Sequence, residues 1–223
     1  MKILVACEES QRVCTEFRKL GHEAYSCDIE PCSGGHNEWH IQDDVLPLLN
    51  GNCDFKTVNG DMHHLIGKWD MIIAFPPCTY FTTSGACRMF HKVNGKSVLD
   101  KERFEKAMEM KKLFMAIYNA DCEKIAIENP TPMKIIELPK HTQVIQPYMF
   151  GHEWSKRTLL WLKGLPELKP TKVVEPTMGS WVNGSAHAYK NKNGKHNGKS
   201  SAIDRSKTFP GIAKAMAEQW TEL

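Results

Sequence analysis

Three strand-like runs in this 223-residue sequence each end in a group able to do chemistry. Residues 22–27 end in Asp28, 69–75 in Pro76-Pro77-Cys78, and 124–127 in Glu128-Asn129-Pro130. A thiol fixed at a strand end by two prolines is placed as a nucleophile; the plainer alternative is a small buried core thiol. A carboxyl group drawn into apolar surroundings keeps its proton to higher pH and can act as an acid, whereas its plainer alternative is a turn carboxylate. In open α/β sheets the ligand crevice lies beyond the carboxyl ends of the strands, so residues far apart in the chain can converge on one site.

Delivering those groups requires alternating strands and helices. Residues 2–6 are a short continuous apolar run, as in a strand buried on both faces of a parallel sheet. Ser10 stands where it can cap a helix reaching Leu20, with Val13, Phe17 and Leu20 at helical spacing and Gly21 as its stop. With 22–27 as the second strand, the β-α-β unit opens a doubly wound, Rossmann-like α/β fold whose first two strands are parallel neighbours. Residues 31–40 read as a surface loop and 45–49 as a short helical stretch. Residues 53–66 flank Asn59-Gly60 and predict a hairpin with a tight primed turn, inserted at the rim of a mostly parallel sheet. Further strands are expected over 69–75, 124–127 and 158–162, a long helix over 101–119, and a closing helix over 210–220 with Ile212, Met216 and Trp220 on one stripe. The chain is expected to form one domain, with 166–207 a loop-rich segment.

Composition bounds function more loosely. A formal net charge of +3 permits a polyanionic partner without requiring one. Eight cysteines, with no leader pattern before the first strand, read as reduced thiols of a cytoplasmic protein. No apolar run approaches the ~20 residues of a membrane span. Cys27 and Cys32 with His36 and His40 are zinc-ligand types, but their spacing matches no standard finger, so no metal centre is expected.

Ala74-Phe75-Pro76-Pro77-Cys78 resembles the Pro-Cys nucleophile motif of the DNA cytosine carbon-5 methyltransferases, and Glu128-Asn129-Pro130 resembles their Glu-Asn-Val motif, in the same order. Over nearly its full length the chain is similar to compact phage and prophage proteins of the cytosine-methyltransferase-like group. The shared stretches are Ala6-Cys7-Glu8-Glu9-Ser10-Gln11, Cys27-Asp28-Ile29-Glu30-Pro31, Phe75-Pro76-Pro77-Cys78-Thr79-Tyr80, Ile127-Glu128-Asn129-Pro130, Gln146-Pro147-Tyr148, Phe150-Gly151-His152, and residues 160–166 and 205–213.

The resemblance implies an S-adenosylmethionine-dependent methyltransferase fold and methyl transfer to carbon 5 of cytosine in phage or host DNA. Cys78 is then the nucleophile at ring carbon 6 and Glu128 the group that protonates or hydrogen-bonds ring nitrogen 3. A base in a duplex must first leave the stack, at roughly a few kcal/mol. For the methyl donor the resemblance implies Cys7, Glu8, Glu9 and Ser10 around its methionine and ribose, Asp28 on the ribose hydroxyls, Ile29 against the adenine, and Pro76 beside it. Asp44, followed by Val45, matches the acidic position that bonds the adenine amino group; Asp61 competes for that match but reads as a turn residue. Lys156 and Arg157 are the approximate equivalents of the family's substrate-stabilising cations, with Arg157 taken as catalytic.

Departures from the family pattern set the alternatives. Its glycine-containing turn after the first strand is here Cys7-Glu8-Glu9-Ser10-Gln11, more acidic and without glycine, which keeps a modified S-adenosylmethionine in view. A separate target-recognition domain is missing. Only 166–207 offers substitutes, through Lys169, Lys172, Lys190, Lys192, Lys195, Lys199 and Lys207 for phosphates and Trp181 and Tyr189 for bases. Two other readings therefore stand beside the first: the same carbon-5 chemistry on a free pyrimidine nucleotide, and a non-catalytic binding protein on the same scaffold.

Overall fold

The two-sided burial that residues 2–6 demand is supplied by a central sheet. The computed structural model describes residues 1–181 and 206–222. In chain order its elements are β1 (Lys2–Ala6), α1 (Arg12–Lys19), β2 (Glu23–Asp28), β3 (His40–Gln42), β4 (Cys53–Lys56), β5 (Met62–Leu65), β6 (Met71–Ala74), α2 (Ala86–Met89), β7 (Phe90–Val93), β8 (Lys96–Leu99), α3 (Lys101–Tyr118), β9 (Ile125–Asn129), β10 (Gln143–Ile145), β11 (Trp154–Ser155), β12 (Thr158–Lys163), β13 (Gly179–Ser180) and α4 (Pro210–Thr221).

Seven strands form the main sheet in the order β10-β12-β9-β6-β1-β2-β3. The run from β9 to β3 is parallel throughout, and β12 lies antiparallel between β9 and β10. This is an α/β architecture with a mostly parallel sheet, compatible with a Rossmann-like fold. Alternate side chains of β1 feed opposite cores: Leu4 and Ala6 join Phe114 and Ile117 of α3, while Ile3 and Val5 join Phe17 of α1 and Ile212, Met216 and Trp220 of α4. Helices thus cover both faces, and the expected apolar stripe of the last helix is buried in full.

Several expectations are corrected. The cap of α1 is not Ser10: Gln11 holds the cap position without a side-chain bond, and the Glu8 carboxylate accepts from Val13 and Cys14 instead. The hairpin β4–β5 exists and sits beside β3, where the Val58 N–H reaches the His40 carbonyl. Its turn is not the primed kind, which needs positive φ at the first central residue or at both. Only Gly60 has positive φ there (102°), its N–H returning to the Thr57 carbonyl, while the Asn59 side chain is taken up by Thr57 and Asp61. The primed turn lies elsewhere, at Asn94-Gly95 (φ 50° and 78°), closing the hairpin β7–β8 that the sequence reading passed over. Strand β9 also runs further than expected, because the ladder to β12 pairs Glu128 with Leu160 and Asn129 with Leu159.

The described part of the loop-rich segment, 166–181, is mostly irregular, with its backbone bonding to that of Tyr148, Met149, Glu153 and Ser155. Tyr189, Lys190, Lys192, Lys195 and Lys199, named above for DNA contact, lie outside the described residues, as does Arg205. Among the described residues no helix is long and apolar enough to cross a membrane.

Candidate active site

The carboxyl ends of β1, β2, β6 and β9 border a cleft of about 500 Å³, a volume usual for small-ligand sites. These strands are parallel and paired end to end, Ala6 with both Cys27 and Ala74, and Ala74 with Ile127. Residues that follow the pairs therefore share one rim. Cys7, Glu8, Glu9 and Ser10 line the cleft after β1, Asp28 and Ile29 at the end of β2, Pro76 and Cys78 after β6, Glu128 and Asn129 on β9, and Arg157 ahead of β12.

The turn after β1 has no glycine, yet Cys7 and Gln11 both take left-handed backbone angles, φ 57° and 55°. Such a conformation costs a non-glycine residue roughly 1–2 kcal/mol. Two local networks offset it. Glu8, 4% exposed, satisfies two N–H groups at the start of α1, at 2.7 and 3.1 Å, where the helix dipole favours negative charge. Gln11 is fully buried and its amide bonds Ser26, the backbone of His36 and the Cys32 thiol. Gly34 packs so closely on Gln11 that any Cβ there would collide with it. Burial pushes the Glu8 carboxyl up to about 8 and the Cys7 thiol up to about 12.

At the other end of the cleft, Asn129 is 1% exposed and its Nδ2 donates to the Pro76 carbonyl at 2.9 Å. Burial and the neighbouring Glu128 push the Cys78 thiol up to about 11, with Lys156 pulling it down. Glu128 is raised by burial, again opposed by Lys156. The two groups repel each other's charge, so a protonated Glu128 eases ionisation of Cys78. The cation that both feel is Lys156; Arg157 lines the same cleft but is exposed.

The cleft is bipolar. Glu9, Asp28 and Glu30 gather at the β1–β2 end and Lys156 and Arg157 ahead of β12 at the other, and Lys207 also lines the cleft. Burial raises the Asp28 carboxyl despite the Glu30 N–H it accepts. Ile29 stands 72% exposed on the lip, an apolar surface beside the cleft.

Not every expected residue arrives. Asp44 and Val45 are not among the residues that line the cleft: the Asp44 carboxylate accepts from the Leu46 N–H, though its charge still reaches Cys7, and Val45 is buried in the core beneath the sheet. Asp61 belongs to the β4–β5 turn. The zinc-type side chains are engaged separately, Cys27 with the Asp43 carbonyl, Cys32 with Gln11, His36 with Glu38, and His40 with Ser26 and the Glu30 carbonyl. Among the described residues no group of three or more His, Cys, Asp or Glu is placed to hold a metal ion.

Reading the sequence for roles missed Gln11, the Asn129 bond to Pro76, and the hydroxyls of Thr79, Thr82 and Ser84 on the cleft wall. The signal for the last was present, a Thr- and Ser-rich loop directly after Cys78. No protein-family model matches the chain, and no curated protein matches it.

Proposed function

We propose that the chain transfers a methyl group from S-adenosylmethionine to carbon 5 of cytosine in DNA. The observation that carries this reading is the meeting of Cys78 and Glu128, delivered by different strands and with like charges that repel, in a cleft that also holds Asp28 and Ile29. The sheet with its antiparallel β12 is compatible with the methyltransferase fold that the resemblance implies.

The Cys78 thiolate adds to ring carbon 6, forming an S–C bond and sending the electron pair toward nitrogen 3, where Glu128 supplies a proton. A neutral Glu128 beside an ionised Cys78 carries one negative charge in the buried end rather than two, and Lys156 faces both. After methylation at carbon 5, the carbon-5 proton passes to solvent as its electron pair forms the carbon 5–carbon 6 double bond and the S–C pair returns to Cys78 as thiolate, and nitrogen 3 gives its proton back to Glu128. The methyl donor supplies an electrophilic methyl group on a cationic sulfonium. Residues present fit such a group: Asp28 for ribose hydroxyls, exposed Ile29 for an adenine face, and the acidic end for the positive charge. Because Glu8 already fills the first N–H groups of α1, a ligand carboxylate finds no helix terminus there.

Nucleoside mass spectrometry on DNA from cells expressing the wild type or Cys78→Ala tests the reading. A new mass on deoxycytidine in the wild type alone is expected, and its increment identifies the group transferred. Unmodified DNA in both, with folded protein, refutes DNA as substrate and favours a free pyrimidine nucleotide, whose phosphate Arg157 and Lys207 stand ready to meet.

A further inference from the structure

Between Cys78 and α3 the chain builds a projecting ribbon that the proposed chemistry does not use. Residues 79–99 contain Arg88, His91, Lys92 and Lys96 and no acidic residue. Elsewhere lysines pair with acids, as Lys106 does with Glu102 and Lys112 with Glu109 on α3. Among the described residues no acid pairs with Arg88, Lys92 or Lys96.

The ribbon is well specified although it covers little. Asn94-Gly95 makes the primed turn that matches strand twist, and four residue pairs from Phe90–Leu99 to Val93–Lys96 fix the register. Every residue from His91 to Val98 is exposed, including Val93 at 46% and Val98 at 39%. A two-stranded ribbon left bare is marginal on its own. Its base is anchored: Met89 is buried, its carbonyl accepts the Asp100 N–H, and Arg103 both donates to the Thr79 carbonyl at 3.0 Å and stacks 4.8 Å over Tyr80. The ribbon is thereby held to the loop whose Thr79, Thr82 and Ser84 line the cleft.

Directly opposed residues of an antiparallel pair share a face. Lys92 and Ser97 therefore project on the face of Phe90 and Leu99, and Val93 and Lys96 on the other with His91 and Val98. A cation on each face suits neither an apolar protein surface nor a single anionic plane. It suits a channel walled by phosphates on two sides, and the major groove of B-DNA admits a two-stranded ribbon.

Building on the DNA-modifying reading above, we propose that the hairpin β7–β8 lies in a groove of duplex DNA, with Arg88, Lys92 and Lys96 against phosphates, and holds the duplex beside the Cys78 cleft.

The test uses the full chain and a short fluorescein-labelled, cytosine-containing duplex, with affinity followed by anisotropy from about 50 to about 200 mM KCl. Wild type is compared with a triple Arg88→Gln, Lys92→Gln, Lys96→Gln variant, whose folding is checked by its thermal melt, and with the double Lys92→Gln, Lys96→Gln variant. Each lost phosphate contact lowers the slope of log affinity against log salt by about 0.9, so the triple variant is expected to be shallower by about 2.7 and the double by about 1.8. A wild type that binds and modifies duplex, with variants of unchanged slope, overturns the hairpin proposal alone. A loss of the same size on the single-stranded oligonucleotide overturns its placement in a groove. A wild type that binds no duplex at the lowest salt overturns it together with the reading it rests on.

Discussion

The side-chain amide of Asn129 donates to the carbonyl of Pro76 at 2.9 Å, so the strand that carries Glu128 also holds the loop that carries Cys78. The spacing of nucleophile and acid is therefore set by a neighbour of each rather than by contact between them. Asn129 and Pro76 are both buried, and removing the Asn129 side chain takes from the Pro76 carbonyl its hydrogen-bond partner.

Asn129→Ala is accordingly expected to cost ~1–3 kcal/mol of stability, the penalty of an orphaned buried polar group, measurable by urea unfolding. Modification of cytosine should fall further than the lost stability explains at temperatures where the variant stays folded. Full activity in a folded Asn129→Ala protein would show that the bond does not position Cys78.

Electrostatics at Cys78 make a second prediction that needs no substrate. Burial and Glu128 hold the thiol near 11 while Lys156 opposes them. Below that value the thiolate fraction falls tenfold per unit, and the thiolate is the form that alkylates. Glu128→Gln lowers the thiol's pKa and should speed iodoacetamide labelling of Cys78 at pH 8; Lys156→Met raises it and should slow labelling. Peptide mass spectrometry separates Cys78 from the partly exposed Cys7, Cys32, Cys53 and Cys87. Shifts in the same direction for both variants would refute the arrangement of charges.

Gly211 lies in the first turn of the last helix, where its Cα faces the Phe150 carbonyl and its N–H donates to His152 Nε2 at 2.9 Å. A Cβ there has no room, because the carbonyl is backbone and cannot swing away. Gly211→Ala should destabilise by ~1–3 kcal/mol, as overpacking does, by shifting α4 off α1. An unchanged melting temperature would mean that the start of α4 yields freely.

The strands and helices that place the site were legible because period and punctuation agree. β1, β2, β6, β9 and α4 carry apolar runs or stripes, most of them bounded by Gly, Pro or Asp, and the residues at their ends converge as strand-end logic requires. The hairpins were harder. Asn59-Gly60 and Asn94-Gly95 carry the same local signal, but Val58 gives its N–H to His40 on β3 and Asn59 its side chain to Asp61, contacts that dipeptide chemistry cannot foresee. Ser10 looked like the cap of α1 by residue type. The capping bonds went to Glu8, whose longer side chain reaches forward past the left-handed residue Gln11 at the cap position. Lys156 and Arg157 are adjacent in sequence, and only the folded structure, where Lys156 is half-buried and Arg157 exposed, distinguishes the one whose charge reaches Cys78 and Glu128.

Glu8 supplies the last prediction, in which the sign of the pH effect matters. Its carboxyl is pushed up from the usual carboxylate range to about 8, chiefly by burial, with the Val13 and Cys14 N–H groups resisting. Between about 4.5 and 8 the folded protein holds a proton there that the unfolded chain has released. Stability then falls as pH rises through that window, by at most about 1.4 kcal/mol per unit from this group, and levels off above it. Asp28 and Glu128, also raised, slope the same way, and His22 and His152, both lowered, slope the opposite way. Glu8→Gln cancels these shared contributions when the two proteins are compared, since glutamine keeps the shape and an acceptor for α1 but never ionises. The difference in unfolding free energy, variant minus wild type, should grow steadily from pH 5 to pH 8 in urea titrations. A difference that stays flat or shrinks over that range would mean that Glu8 is already ionised in the folded protein, and that α1 is held by a full charge rather than by a neutral acid.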